Sequence, residues 1–171
     1  MKKLAVTLLL IFAGIAAASA QKFAMVDMEY ILRNIPAYEM ANEQLNQLSQ
    51  RWQREVEAVG KEAETMYQTY LADKPFLTEE QAKKREEEIV AKEKEATDLR
   101  YKYFGPEGEL YKKRQSLLKP IQDEVYNAIK AVAQQRGYQD VFDRASSSEI
   151  IFASPTIDIS NEVLNKLGYS K

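Results

Sequence analysis

Between Ala37 and Ala72 the sequence has no proline and a single glycine, Gly60, while apolar residues recur at Leu45, Leu48, Trp52, Val56, Val59, Ala63, Met66 and Tyr70. The steps are 3, 4, 4, 3, 4, 3 and 4, close to the coiled-coil period with one extra 4-step that changes the winding locally. A helix over these 36 residues reaches roughly 54 Å at ~1.5 Å per residue. A rod that long cannot be folded into a compact domain of this size, so the chain must be built around it.

The rod ends at ADKPFLT, residues 72–78, where Pro75 biases Lys74 away from helix. Thr78 and Gln81 then form a capping-box pair that opens a second helix, TEEQAKKREEEIVAKEKEATDLRYKYF. A short helix-to-helix connection makes the rods antiparallel neighbours. The returning rod carries nine acidic and eight basic residues between Asp73 and Phe104, and its apolar stripe is thin: Ala82, Ile89, Ala96, Leu99 and Tyr103. So sparse a seam predicts a far end that bends and frays. FGPEGE, residues 104–109, interrupts the rod with two glycines and a proline and reads as a kink or joint. Leu110, Leu117, Ile121, Val125, Ala128 and Val132 then restore a richer stripe, with Pro120 inside it and Gly137 at its end.

Strand signals occur only near the two ends. KFAMV, residues 22–26, has strand length, and Asp27 can cap a short helix MEYILRN with Val26 and Ile31 as a hydrophobic staple. Pro36 suits the first turn of the long rod. DVFD, residues 140–143, and EIIFAS, residues 149–154, flank RASSS and read as a hairpin. ISNEVLNKLG closes the chain as a short helix, with Ser160 as its cap and Ile159 facing Leu164. Three short strands leave open edges, and edges must be paired, covered or blunted. Setting copies around an axis does this. The strands therefore read as an assembly platform and the rods as an arm.

The first 21 residues have another purpose. Lys2 and Lys3, an apolar run from Leu4, and Ala18-Ser19-Ala20 before Gln21 have the layout of a secretory signal cut between Ala20 and Gln21. Its removal takes two lysines from the 24 basic residues against 26 acidic ones, moving the formal charge from −2 to −4. That balance argues against nucleic acid as a partner. The organisation expected is a signal peptide over 1–20, a β-containing body from 21–36 and 120–171, and an arm over 37–119 with its tip near 73–78 and a kink near 104–109.

Catalysis has little to work with. The chain has no His and no Cys, which removes the commonest general base, the soft metal ligands and the usual nucleophilic pairs. Glu86, Glu87 and Glu88 sit on a solvated face with no pocket to separate their proton affinities. FGPEG lacks the Lys-Ser or Lys-Thr sequel of a phosphate-binding loop, and the serines at 146–148 read as a turn. The expectation is a protein that is not an enzyme and uses no cofactor or metal.

KFAMVDMEYIL resembles the N-terminal strand and helix of the Skp/OmpH family of periplasmic chaperones, and VYNAIKAVAQQRGYQDVFD, IIFAS and DISNEVLNKL resemble its closing helix, strands and final helix. The resemblance covers essentially all of the chain after the signal. It implies an α+β fold, mostly α: a small β-containing trimerisation body with a long antiparallel helical-hairpin arm, in a jellyfish-like homotrimer. It also implies a periplasmic holdase that binds unfolded outer-membrane proteins in a cavity between the arms, without ATP, and aids their delivery to the outer membrane. Two departures stand out. Members are often strongly basic along the arms whereas this chain is acidic, which argues against direct lipid or lipopolysaccharide contact, and the FGPEGE break lies in the returning arm.

Candidate client-binding residues of the arm are Trp52, Met66, Tyr67, Tyr70, Phe76, Tyr101, Tyr103 and Phe104. Packing between the rods is the first expectation for Trp52, Met66 and Tyr70, on the seam; Tyr67, Phe76, Tyr101 and Phe104 are expected to be exposed. Phe23, Met25, Val26, Ile31, Val141, Phe142, Ile150, Ile151 and Phe152 are assigned to the body core or to contact between copies. The competing reading is a coiled-coil spacer or adhesion stalk of the cell envelope. A hairpin whose ends return to one body disfavours it, because a spacer would run on as one continuous coil.

Overall fold

A computed structural model describes residues 22–147 and 149–169. The expected cleavage site, Ala20 and Gln21, lies outside them. Four helices and two strands carry the fold, together with a seven-residue closing helix: β1 (Phe23–Val26), α1 (Met28–Arg33), α2 (Pro36–Asp73), α3 (Glu79–Phe104), α4 (Glu109–Arg136), β2 (Asp140–Asp143) and α5 (Ser160–Lys166). The chain divides into two compact units, Pro36–Asp123 forming one, and the described residues up to Ile35 with those from Glu124 onward forming the other.

In the first unit α2 runs for 38 residues, and a single 3-10 turn, Lys74–Phe76, reverses the chain into α3. Thr78 caps α3: its hydroxyl accepts from Gln81 N–H, and the Gln81 side chain accepts from Thr78 N–H at 3.0 Å. Leu45, Val56, Ala63 and Tyr70 of α2 and Ile89 and Tyr103 of α3 are buried, the first four falling on one stripe at helical spacing. Between α3 and α4 the chain makes a hydrogen-bonded corner. Gly105 N–H bonds Tyr101 C=O at 2.8 Å, Gly108 N–H bonds Gly105 C=O at 2.9 Å, and Lys112 N–H bonds Gly108 C=O at 3.1 Å. A Cβ on Gly105 would stand 2.5 Å from the Tyr101 carbonyl oxygen, and one on Gly108 would meet three backbone atoms at 2.7–2.9 Å. The glycines permit close backbone contact here, so the expected joint is a tightly packed turn.

The second unit is held by β1. It pairs in parallel with β2, Phe23 opposite Asp140 through Val26 opposite Asp143. On its other edge Met25 bridges Asp158, its carbonyl accepting from Ile159 N–H at 2.9 Å. The sheet therefore has two strands and one bridge. Residues 149–153 do not form the expected third strand, so the expected hairpin between 140–143 and 149–154 is absent and β2 pairs in parallel with β1 alone.

Ala24 and Val26 are buried, as are Ile31, Val125, Ala128, Val132, Ile159, Val163 and Leu164 of the surrounding elements. Side chains alternate across a strand, so the other face of β1 presents Phe23 and Met25. Phe23 and Phe142 meet edge to face at 6.3 Å and are each about half exposed. Of the two roles expected for Phe23 and Phe142, body core or contact between copies, the first does not hold within one chain: the period of two sends Ala24 inward, together with Val26 as expected. Met25, Val141 and Ile150 are half-buried, and Ile151 and Phe152 are 99% and 81% exposed.

Of the two N-caps expected in this unit, one forms. Asp27 caps α1, its carboxylate accepting from Tyr30 N–H at 2.8 Å. Ser160 is the first residue of α5 and not its cap; its hydroxyl accepts from Asp27 N–H at 2.8 Å. Asp158 instead accepts from Ser160 N–H at 2.9 Å. Gly137 ends α4 with φ +72°, in the left-handed region that favours glycine, and Tyr138 N–H returns to Ala133 C=O at 2.9 Å.

Candidate functional site

Two surfaces concentrate the residues singled out above. The first is on the hairpin. Trp52 stacks on Tyr103 with centroids 4.8 Å apart and planes 8° apart, and Tyr103 OH donates to Glu55 at 3.0 Å. Burial, and then the Glu55 carboxylate, push the Tyr103 phenol above its ordinary value. Near the tip Tyr70, 3% exposed, donates to Glu86. Lys74 Nζ lies 5.2 Å over the Tyr70 ring, and its contact with Tyr70 raises its pKa. Midway, Lys92 of α3 bonds Glu95 at 2.9 Å and reaches Glu62 of α2 at 3.1 Å, and these two carboxylates raise its pKa.

These contacts sort the arm residues. Tyr70 and Tyr103 are buried between the rods, and Trp52 and Met66 are half-buried. In this packing they stabilise the hairpin and offer little surface to a partner. Tyr67 is 46% exposed, Phe76 87%, Tyr101 72% and Phe104 36%. Leu71 and Val90 are exposed as well and were missed by the sequence reading. Their signal was available: Leu71 lies four residues beyond Tyr67, on the same side of α2. The polar rungs across the seam were not legible, because glutamate is spread all over these helices.

The second surface is the outer side of the sheet, where Phe23 and Phe142 stand exposed; Ile151 and Phe152, beyond β2, are exposed as well. Beside it a charge clasp closes the unit: Arg144 reaches Asp27 at 3.2 Å and Asp158 at 3.4 Å. Asp143 accepts from Met28 N–H at 3.1 Å and Ala145 N–H at 3.0 Å. Burial acts to raise the Asp143 pKa, but these hydrogen bonds outweigh it and leave the carboxyl below its ordinary value.

Among the described residues no three His, Cys, Asp or Glu side chains are grouped to hold a metal, and no helix is long and apolar enough to cross a membrane. What the two surfaces have to offer is exposed aromatic and aliphatic area.

A crystal structure from Caulobacter crescentus CB15, of a protein assigned as an outer membrane chaperone (OmpH-like), superposes with a TM-score of 0.69 at 14% identity, covering 88% of this chain and 86% of that one. At that identity the likeness shows the fold. Comparison with curated proteins finds no match. The family described as Outer membrane protein (OmpH-like) matches residues 22–167, nearly the whole described length, and on that match the chain belongs to the OmpH-like family.

Proposed function

We propose that the protein is a periplasmic holdase chaperone that binds unfolded outer-membrane proteins, prevents their aggregation and aids their delivery to the outer membrane, without ATP. The observation that carries this reading is the exposure of Tyr67, Phe76, Tyr101 and Phe104 on a doubled-back helical pair in a chain of the OmpH-like family. Holding an unfolded chain calls for many weak contacts that impose no single conformation, and multivalent contact raises effective concentration without any one strong site. Scattered half-exposed aromatics meet that need better than a closed pocket does. The layout of the first 21 residues supports export, with cleavage between Ala20 and Gln21. In this reading the protein works without a cofactor and without catalysis.

The working form in this reading is a homotrimer. Phe23, Phe142, Ile151 and Phe152 are exposed and costly to leave in water, and the two-stranded sheet has edges to pair, which supports cover by neighbouring copies. The segment 149–153, rich in β-branched and aromatic residues, supports pairing as a strand between copies. The body would then combine 21–36 with 120–171 from each copy, and 37–119 would form each arm.

The test is dilution of an unfolded outer-membrane barrel out of urea in the presence of the mature chain. Suppressed aggregation at a few-fold molar excess, with a native mass of three chains, is the expected result. Unchanged aggregation would favour the envelope spacer or stalk, and a native mass of one chain at micromolar concentration would refute the trimer.

A further inference from the structure

The two flanks of the hairpin differ in kind. At about 100° per residue, Glu55 and Glu62 of α2 lie to one side of the buried stripe through Val56, Ala63 and Tyr70. Tyr67 and Leu71 lie to the other. On α3, Lys92 and Tyr103 fall on the first side of Ile89, and Val90, Glu93 and Phe104 on the second. Two contacts fix how these sides match across the antiparallel pair. Tyr103 to Glu55 and Lys92 to Glu62 join the first sides, and Gln53, Val56 and Glu57 line one cleft with Arg100 and Phe104 on the second. One flank is thus consumed by inter-rod hydrogen bonds and ion pairs.

The other flank is patterned, and among the described residues its inter-rod hydrogen bond is the one from Tyr70 to Glu86 near the tip. Tyr67, Leu71 and Val90 make an apolar island near the tip, exposed by 46%, 45% and 62%. Phe104 beside Val56 makes a second, at a cleft of about 340 Å³. From Tyr67 to Val56 is eleven residues of helix, about 16 Å, which an extended chain spans in about five residues. Between the islands stand Glu64 and Glu93, both exposed and neither in an ion pair among the described residues. At the cleft itself Glu57 and Arg100 have opposite charge and offset each other.

We propose that this flank is a docking track for extended polypeptide whose apolar residues lie about five apart with basic residues between them. The proposal rests on the chaperone reading and adds the chemistry of the segment held. A second copy meeting this flank with its own would bring Glu64 and Glu93 against like charges, which disfavours self-pairing. An unfolded chain has no fixed shape to match, so apolar spacing and charge are the features such a surface can select.

Two fluorescein-labelled synthetic peptides, each with two phenylalanines five residues apart and either lysines or glutamates between them, test it against the full mature chain. Fluorescence anisotropy at low salt should give the lysine peptide about five- to tenfold tighter binding. The double variant Glu64→Lys/Glu93→Lys should invert that preference while its circular dichroism stays unchanged. Equal binding of the two peptides, or a preference that survives the double variant, overturns the track. So does a native mass that falls in the double variant, since a second copy would then occupy the flank. The parent chain's suppression of barrel aggregation separates the two claims: if suppression holds while the peptides bind equally, only the track falls, and if suppression is absent, the chaperone reading falls first.

Discussion

Ile31 has no exposed surface and packs in the unit held by β1, where Val26 is also buried, at two per cent exposed. Ile31→Ala deletes three carbons. At ~0.8 kcal/mol per carbon the transfer loss is about 2.4 kcal/mol, and the cavity left behind raises the cost to about 3.5 kcal/mol, inside the usual range for such truncations. How far the melting temperature moves depends on what unfolds together. If the unit of ~60 described residues melts by itself, about 4–8 °C per kcal/mol gives a fall of about 14–28 °C. If the chain melts as one body of ~150 residues, the fall is about 7–14 °C. Separate cores lead us to expect the larger value. Hydrogen exchange read by mass spectrometry on peptides over 23–35 and 159–167 reports this unit. The chain's single tryptophan, Trp52, reports the hairpin by fluorescence. Protomer concentration must be held fixed, because assembly would shift both curves. A fall below about 14 °C, or a Trp52 transition that moves as far as the exchange transition, would refute the separate-core reasoning.

Other changes draw on the same contacts. Gly60 lies inside α2 with nothing within 4 Å of where a Cβ would stand, so Gly60→Ala should stabilise the hairpin by about 0.5–1 kcal/mol, read as a higher urea midpoint by Trp52 fluorescence. Gly108→Ala should destabilise the hairpin unit by about 1–3 kcal/mol, because three backbone atoms already occupy the space; an unchanged urea midpoint would show that the corner relaxes freely. Asp143 has a lowered pKa when folded, so its stabilising effect is complete above the ordinary carboxylate value of 3.8 and is lost as pH falls through the folded value. Asp143→Asn should therefore flatten the loss of stability between pH 5 and pH 3, in the range of about one unit either side of that value, measured by urea denaturation at each pH.

The hairpin was legible because its causes are local. A stripe at steps of three and four, a proline at the turn and the Thr78–Gln81 box each act within a few residues, and each produced the element it implied. Rungs such as Tyr70 to Glu86 were not legible, because they depend on residues sixteen apart in sequence. The sheet was less legible because its causes are distant. EIIFAS has strand composition, but β-propensity measures fit to a neighbour, and within one chain β1 is already flanked by β2 and by Asp158. Likewise Ser160 has the right residue type for a cap, yet its hydroxyl is taken by Asp27, 133 residues earlier. Choosing between Phe23 and Ala24 for the inner face required knowing which side the helices cover, which a four-residue strand does not encode.

The position of β1 between the last two segments to be made has a consequence for timing. Its partners are contacts at very long range: Met28 waits for Asp143, 115 residues on, and Asp27 waits for Ser160. Whatever delivers this polypeptide from its N-terminus, a ribosome or a translocation pore, must release nearly all of it before that clasp can close, whereas the paired rods in the middle need only their own residues. The seam can thus form while the molecule is still emerging, and the knot of the two ends is tied last, so a truncated product would keep its rods and leave β1 bare.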